Sequence, residues 1–189
     1  MNREGVLKWL KIFSIGFIIL FILEIVDLFL FGNMQVTLES EHIFLTNLLF
    51  SSEFTDLTSS TLYIFLIIMS FLFLTLSIFL LRLALKGKIE TVRLSKTVFM
   101  VGLIFLTADF LKLFYIYMID NSIISISPST SYKFIEIIYN FSITPVFVAI
   151  MWLYINIVAA TIILSGLIFG AVGLQWFLNL RNEFGKVKK

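Results

Sequence analysis

The chain has 189 residues, one histidine and no cysteine; it is 60% hydrophobic, 14% charged, carries a net charge of +2 and has a mean hydropathy of +1.05. Soluble domains are about 45–50% apolar and about 25% charged, so lipid is the solvent this composition expects. The missing cysteines exclude disulfides, thiolate metal sites and cysteine nucleophiles, and the lone His42 excludes a bis-histidine haem or a histidine-rich metal site.

A helix needs roughly 20 apolar residues to cross the hydrocarbon core. The first such stretch is 12–31, interrupted by Glu24 and Asp27. It is too long and too acidic for a cleaved signal segment and no small-x-small cleavage site follows it, so it reads as a retained span.

The loop 32–60 follows, with the apolar patch "HIFLTNLLF". It reads as a short amphipathic helix on the outer membrane surface or over the helix ends. His42 reads as an ordinary surface or interface residue.

The second span is 61–81, without charge. The third is 97–119, interrupted by Asp109 and Lys112. The second outer loop, 120–142, holds "YKFIEIIYNF", whose Phe134, Ile135, Ile138 and Phe141 recur at helical spacing and predict a second amphipathic helix. Asn140–Ser142 matches the glycosylation acceptor pattern, which occurs often by chance.

The last uncharged run, 143–180, is too long for one perpendicular crossing. It reads as a span over 145–169 with a helical extension to about 181, and Gly166, Gly170 and Gly173 mark where it bends or packs closely. Ala159 and Ala160 with Gly166 and Gly170 form a small-residue face for close helix packing, within the chain or against a dimer partner or another subunit. Trp176 suits the membrane interface.

Lysine and arginine in short loops set orientation. Twelve of the 14 basic residues fall in the N-terminal segment, the 82–96 loop and the C-terminal segment, while Lys133 alone lies in the outer loops. The fold class expected is an all-α, four-transmembrane-helix bundle forming a single membrane domain over 1–189, in the plasma membrane, with both termini cytoplasmic.

A charge at the centre of a membrane helix costs about 2.5–3.5 kcal/mol, so Glu24, Asp27, Asp109 and Lys112 should face inward and pair. All four fall in the outer half of their spans, near the level of Asn156, with Ser70 as a weaker member. Lys112 needs an acid; Asp27 matches its depth best, and Asp109 is the alternative within its own helix. One lysine does not neutralise three acids, so Glu24 or Asp109 is expected to be protonated.

A faint internal repeat appears at a shift of 85 residues, which pairs Glu24 with Asp109 and Asp27 with Lys112. Repeats of this kind occur in transporters.

No phosphate loop, zinc motif or nucleophile elbow occurs, and the inner basic residues read as topology signals and lipid-headgroup contacts rather than as a nucleic-acid site. No catalytic residue, metal ligand or cofactor is expected. The reading is an accessory or structural subunit of a membrane assembly, held by an intramembrane polar cluster. The alternative is a small proton- or cation-coupled transporter using Glu24, Asp27, Asp109 and Lys112. A membrane enzyme ranks last.

Overall fold

The computed structural model describes residues 3–38, 41–51, 57–86, 91–127 and 130–187. The chain is mostly helical. Long apolar runs with few breakers satisfy their own backbone only as helices when water is excluded. Four such helices form: α1 (Arg3–Gly32), α3 (Leu57–Lys86), α4 (Thr91–Asp120) and α6 (Val146–Val187). Each is long and apolar enough to cross a membrane. All four run past their apolar stretches, because the polar ends continue the same backbone pattern. The last is one helix of 42 residues opening directly after Pro145, where a missing N–H costs nothing.

The segments expected to hold only amphipathic helices hold something further. After α1 come the antiparallel strands β1 (Gln35–Leu38) and β2 (Glu41–Phe44), then the short helix α2 (Leu45–Phe50). After α4 come β3 (Ile123–Ser127) and β4 (Thr130–Lys133), then the short helix α5 (Phe134–Ile138). The expected short helices exist, and their apolar residues Leu45, Leu48, Leu49, Phe134, Ile137 and Ile138 are buried. Part of each patch is strand, however. The alternation Ile-Ser-Ile-Ser and the short Gln-Val-Thr-Leu run are strand signals that helical spacing overlooks.

Polarity is inverted relative to a soluble helical protein. The outward positions of α1 include Ile12, Ile19, Leu23, Val26 and Phe29, while Ser14, Glu24, Ser70, Ser77, Asp109 and Lys112 are buried. Water-facing helices do the reverse.

The two halves of the chain repeat one unit: long helix, hairpin, short helix, long helix. Eight of the nine described buried positions of α1, namely Val6, Leu10, Ser14, Phe17, Phe21, Glu24, Leu28 and Phe31, recur 88 residues later in α4 as the buried Leu94, Val98, Gly102, Phe105, Asp109, Lys112, Ile116 and Ile119. Buried Ser60, Tyr63, Leu66, Ser70 and Phe73 of α3 correspond in the same way to Ala149, Trp152, Ile155, Ala159 and Ile162 of α6, one residue further on.

The extra residue is Ile126. The first hairpin pairs Gln35 with Phe44, Val36 with Ile43, Thr37 with His42 and Leu38 with Glu41. The second pairs Ile123 with Lys133, Ile124 with Tyr132, Ser125 with Ser131 and Ser127 with Thr130, skipping Ile126 at a bulge. The joints match as well. Asn33 Nδ2 donates to Phe29 O at 2.8 Å and Asn121 Nδ2 to Tyr117 O at 2.9 Å. Leu45 N donates to Met34 O and Phe134 N to Ser122 O, each at 2.9 Å. The repeat is therefore real, but its register is 88 and then 89. The shift of 85 aligns residues by chemical type and not by helix face.

By its contacts the chain divides into two compact units, Met1–Leu20 with Leu72–Phe110 and Ala160–Lys189, and Phe21–Phe71 with Leu111–Ala159. The second contains both hairpins and a core that includes Leu28, Phe31, Tyr63, Phe134 and Trp152. Trp152 stacks on Phe31 at 5.1 Å between ring centroids and takes Phe134 edge-on at 5.5 Å. Thr37 N donates to Ile143 O at 2.8 Å, which ties the first hairpin to the segment leading into α6.

The first unit contains close helix contacts and an aromatic cluster. Gly102 of α4 lies against the backbone of Phe169 and Gly170 of α6, and Gly173 lies against Phe99, so tightly that a Cβ at either glycine would collide with backbone. Phe17 of α1 meets Phe105 of α4 edge-on at 5.4 Å, with Phe169 at 6.2 Å from each.

Candidate functional site

Glu24 of α1 and Lys112 of α4 are both fully buried and form an ion pair, Lys112 Nζ donating to Glu24 Oε1. The other carboxylate oxygen, Oε2, accepts from Ser70 Oγ of α3 at 3.0 Å. Ser70 also lies 3.0 Å from Leu66 O of its own helix, so its single proton is shared between two acceptors. Three helices thus meet at one carboxylate, and both of its oxygens are engaged. Taking each ion out of water costs several kcal/mol, and only close pairing with further hydrogen bonds offsets this.

The lysine's partner differs from the one its depth indicates. Depth points to Asp27, and Glu24 takes the place instead. Glu24 lies in the middle of the buried stripe that runs through Phe21, Leu28 and Phe31, whereas Asp27 lies at the edge of that stripe and is half-buried. Its Oδ2 is nevertheless shielded from solvent and has no hydrogen-bond partner among the described residues.

Asp109 is fully buried one turn before Lys112 on the same helix. Asn156 is half-buried and donates to Trp152 O at 3.0 Å, so its amide serves its own helix. Ser70 is the member that sequence placement ranks low, yet it completes the cluster. Its signal is the charge-free span around it, in which a buried hydroxyl has few other partners.

Of the small-residue face, Ala159 is buried and Ala160 is exposed. Gly166 lies against Leu106 and Gly102 O, whereas a Cβ at Gly170 would meet open space among the described residues. The close approach on α6 therefore runs through Gly166 and Gly173, with Gly170 receiving Gly102. Trp176 is buried and does not stand out at a surface.

A second polar contact has no counterpart in the sequence reading. Trp152 Nε1 donates to Asp120 Oδ1 at 2.8 Å, which joins the start of α6 to the end of α4. The position equivalent to Trp152 in the first repeat is Tyr63, whose hydroxyl donates to Leu28 O at 2.5 Å. Each repeat thus places an aromatic donor at the same register and directs it at a neighbouring long helix. Near this joint the Tyr139 phenol is raised above its usual range, first by burial and then by the Asp120 charge.

Chemically, the cluster is a carboxylate, an ammonium and a hydroxyl in a dry setting. It joins α1, α3 and α4 at one level. Comparison with protein-family models, with curated proteins and with solved structures finds no match to this chain.

Proposed function

We propose that the chain is an integral membrane protein with four crossings forming one membrane domain, and that it serves as an accessory or structural subunit of a membrane assembly. Four helices long and apolar enough to cross a membrane, apolar outside and polar inside, support the membrane reading. The distribution of basic residues supports cytoplasmic termini.

The observation that carries the structural role is the saturation of Glu24. Both of its oxygens are engaged and its counter-ion is fully buried. A carboxylate held this way, with one oxygen on Lys112 and the other on Ser70, acts as a clamp between helices. Native mass spectrometry of the protein extracted gently from its own membrane tests the reading. Stoichiometric membrane partners are expected, and a lone chain or a homodimer would overturn it.

One observation favours a second reading, a small proton- or cation-coupled transporter: the shielded Oδ2 of Asp27, one turn from Glu24 and without a hydrogen-bond partner among the described residues. On that reading Asp27→Asn abolishes proton- or cation-driven flux in proteoliposomes while thermal unfolding is unchanged. Intact flux, or none in the parent, removes it.

A further inference from the structure

The two repeats differ at Asp27. The register of 88 and then 89 makes Asp27 of α1 equivalent to Tyr115 of α4, and Tyr154 of α6 equivalent to Phe65 of α3. Phe65 and Tyr115 stack at 5.5 Å between ring centroids, with their planes 23° apart, and so close α3 against α4. The equivalent pair cannot close in that way, because a carboxylate replaces one of its rings. Asp27 instead stands where its charge reaches the Tyr154 phenol.

The chain does not take up that carboxylate. Among the described residues Asp27 forms no hydrogen bond and no ion pair. The donors around it are committed elsewhere. Lys112, the one fully buried cation among the described residues, is held by Glu24. Ser70 divides its proton between Glu24 and Leu66 O. Tyr63, whose phenol also lies within reach of the Asp27 charge, donates to Leu28 O. Oδ2 is shielded, yet the side chain as a whole is only half-buried, so it is reached from outside the chain. Its outward neighbours are apolar. Leu23 and Leu30, one turn before and after Asp27 on α1, are 54% and 49% exposed. Ile150 and Ile157 flank Tyr154 in the same way on α6 and are exposed too. A carboxylate at the edge of such a surface is costly in lipid unless it is paired.

We infer that Asp27 pairs with a lysine or arginine carried by a transmembrane helix of a partner subunit, which packs on α1 over Leu23 and Leu30. The inference rests on the assembly reading above and names the partner's chemistry: a helix apolar on its contact face, with one basic side chain at the level of Asp27. Charge complementarity selects this partner. A hydroxyl or amide on the partner would supply a hydrogen bond but leave the charge unmatched. A lone cation in the partner's helix is as costly in lipid as the lone carboxylate here, so each subunit supplies what the other lacks.

The test uses the assembly extracted gently from its own membrane, weighed by native mass spectrometry, with the photo-crosslinker p-benzoylphenylalanine placed at Leu23 or at Leu30. The parent chain is expected to carry its partner, and cross-links from both positions should fall within a turn of a lysine or arginine in a transmembrane helix of that partner. Asp27→Asn, which keeps the shape and loses the charge, should lower the partner-bound share about tenfold. Asp27→Glu should keep most of it. Thermal unfolding of the isolated chain should be unchanged in Asp27→Asn, since no bond within the chain is lost; a clear drop would give Asp27 an internal role and overturn the pairing. An undiminished partner in Asp27→Asn, or cross-links onto a segment without lysine or arginine, would overturn it too and leave the assembly reading standing. A parent chain without any partner would instead refute the assembly reading beneath it.

Discussion

Glu24 and Lys112 occupy the same position in the two repeats, 88 residues apart, and pair with each other. Phe17 and Phe105, another equivalent pair, meet edge-on in the same way. In each of the two compact units, then, a residue of α1 meets its equivalent on α4. Two identical copies would set like against like, glutamate on glutamate or lysine on lysine. In one chain the two positions carry different residues, and the opposed charges of Glu24 and Lys112 form a bond where like charges would repel.

This pairing predicts a non-additive mutational response. Lys112→Met leaves a buried carboxylate with only Ser70, and Glu24→Leu leaves a buried ammonium. Each should cost about 3–5 kcal/mol, measured as reversible unfolding in bicelles. The double variant should recover part of that loss, because neither member of the pair is then left without the other, while the buried Asp109 still loses the lysine one turn away. Additive losses in the double variant would mean that the two residues act through other partners.

How far the site is legible in the sequence follows from the same residues. Four long apolar runs and their inward charges can be read directly, since lipid tolerates neither open backbone nor lone charge. The choice of Glu24 over Asp27 cannot. It depends on which turn of α1 lies in the middle of the buried stripe, and an almost wholly apolar helix gives no periodicity from which to read that. The repeat is blurred for the same reason, since low-complexity apolar sequence aligns at several shifts and only the burial register selects 88. The hairpins escape notice because their strands are four or five residues long and run straight into a helix.

The glycines separate two readings of the same motif. Gly166 and Gly170 form a G-x-x-x-G pair, and a motif-level argument makes them equally intolerant of substitution. The contacts distinguish positions along this seam. Gly102→Ala and Gly173→Ala would drive a methyl into backbone, whereas Gly170→Ala meets nothing within 4 Å among the described residues. The first two should each cost about 1–3 kcal/mol and the third should be neutral, by thermal unfolding in detergent. A large loss at Gly170 with none at Gly102 would reverse the assignment of the close face.

The aromatic donors of the two repeats should differ in importance. Tyr63→Phe removes one hydrogen bond to Leu28 O and should cost about 1 kcal/mol. Trp152→Phe also removes a stacking surface on Phe31 and withdraws the indole N–H from Asp120, so it should cost more, about 2–4 kcal/mol. Near-ultraviolet circular dichroism on the folded variants checks that the remaining core is unchanged. Equal costs would mean that the Asp120 contact contributes nothing beyond the ring.

Orientation is testable with unusual ease because the chain has no cysteine, so each introduced thiol is the sole target. A cysteine at Leu85 or at Gly5 should resist a membrane-impermeant maleimide on intact cells and react after permeabilisation. One at Tyr132 or Asn140 should react at once, since both are exposed in or beside the second hairpin. The same labelling examines the repeat. On the membrane reading proposed above, each copy of the unit crosses twice, so the two copies must run in the same direction. His42→Cys and Ser131→Cys, equivalent residues of β2 and β4, therefore have to react from the same side. Opposite accessibility would mean an inverted repeat, which is incompatible with Glu24 and Lys112 meeting at one register.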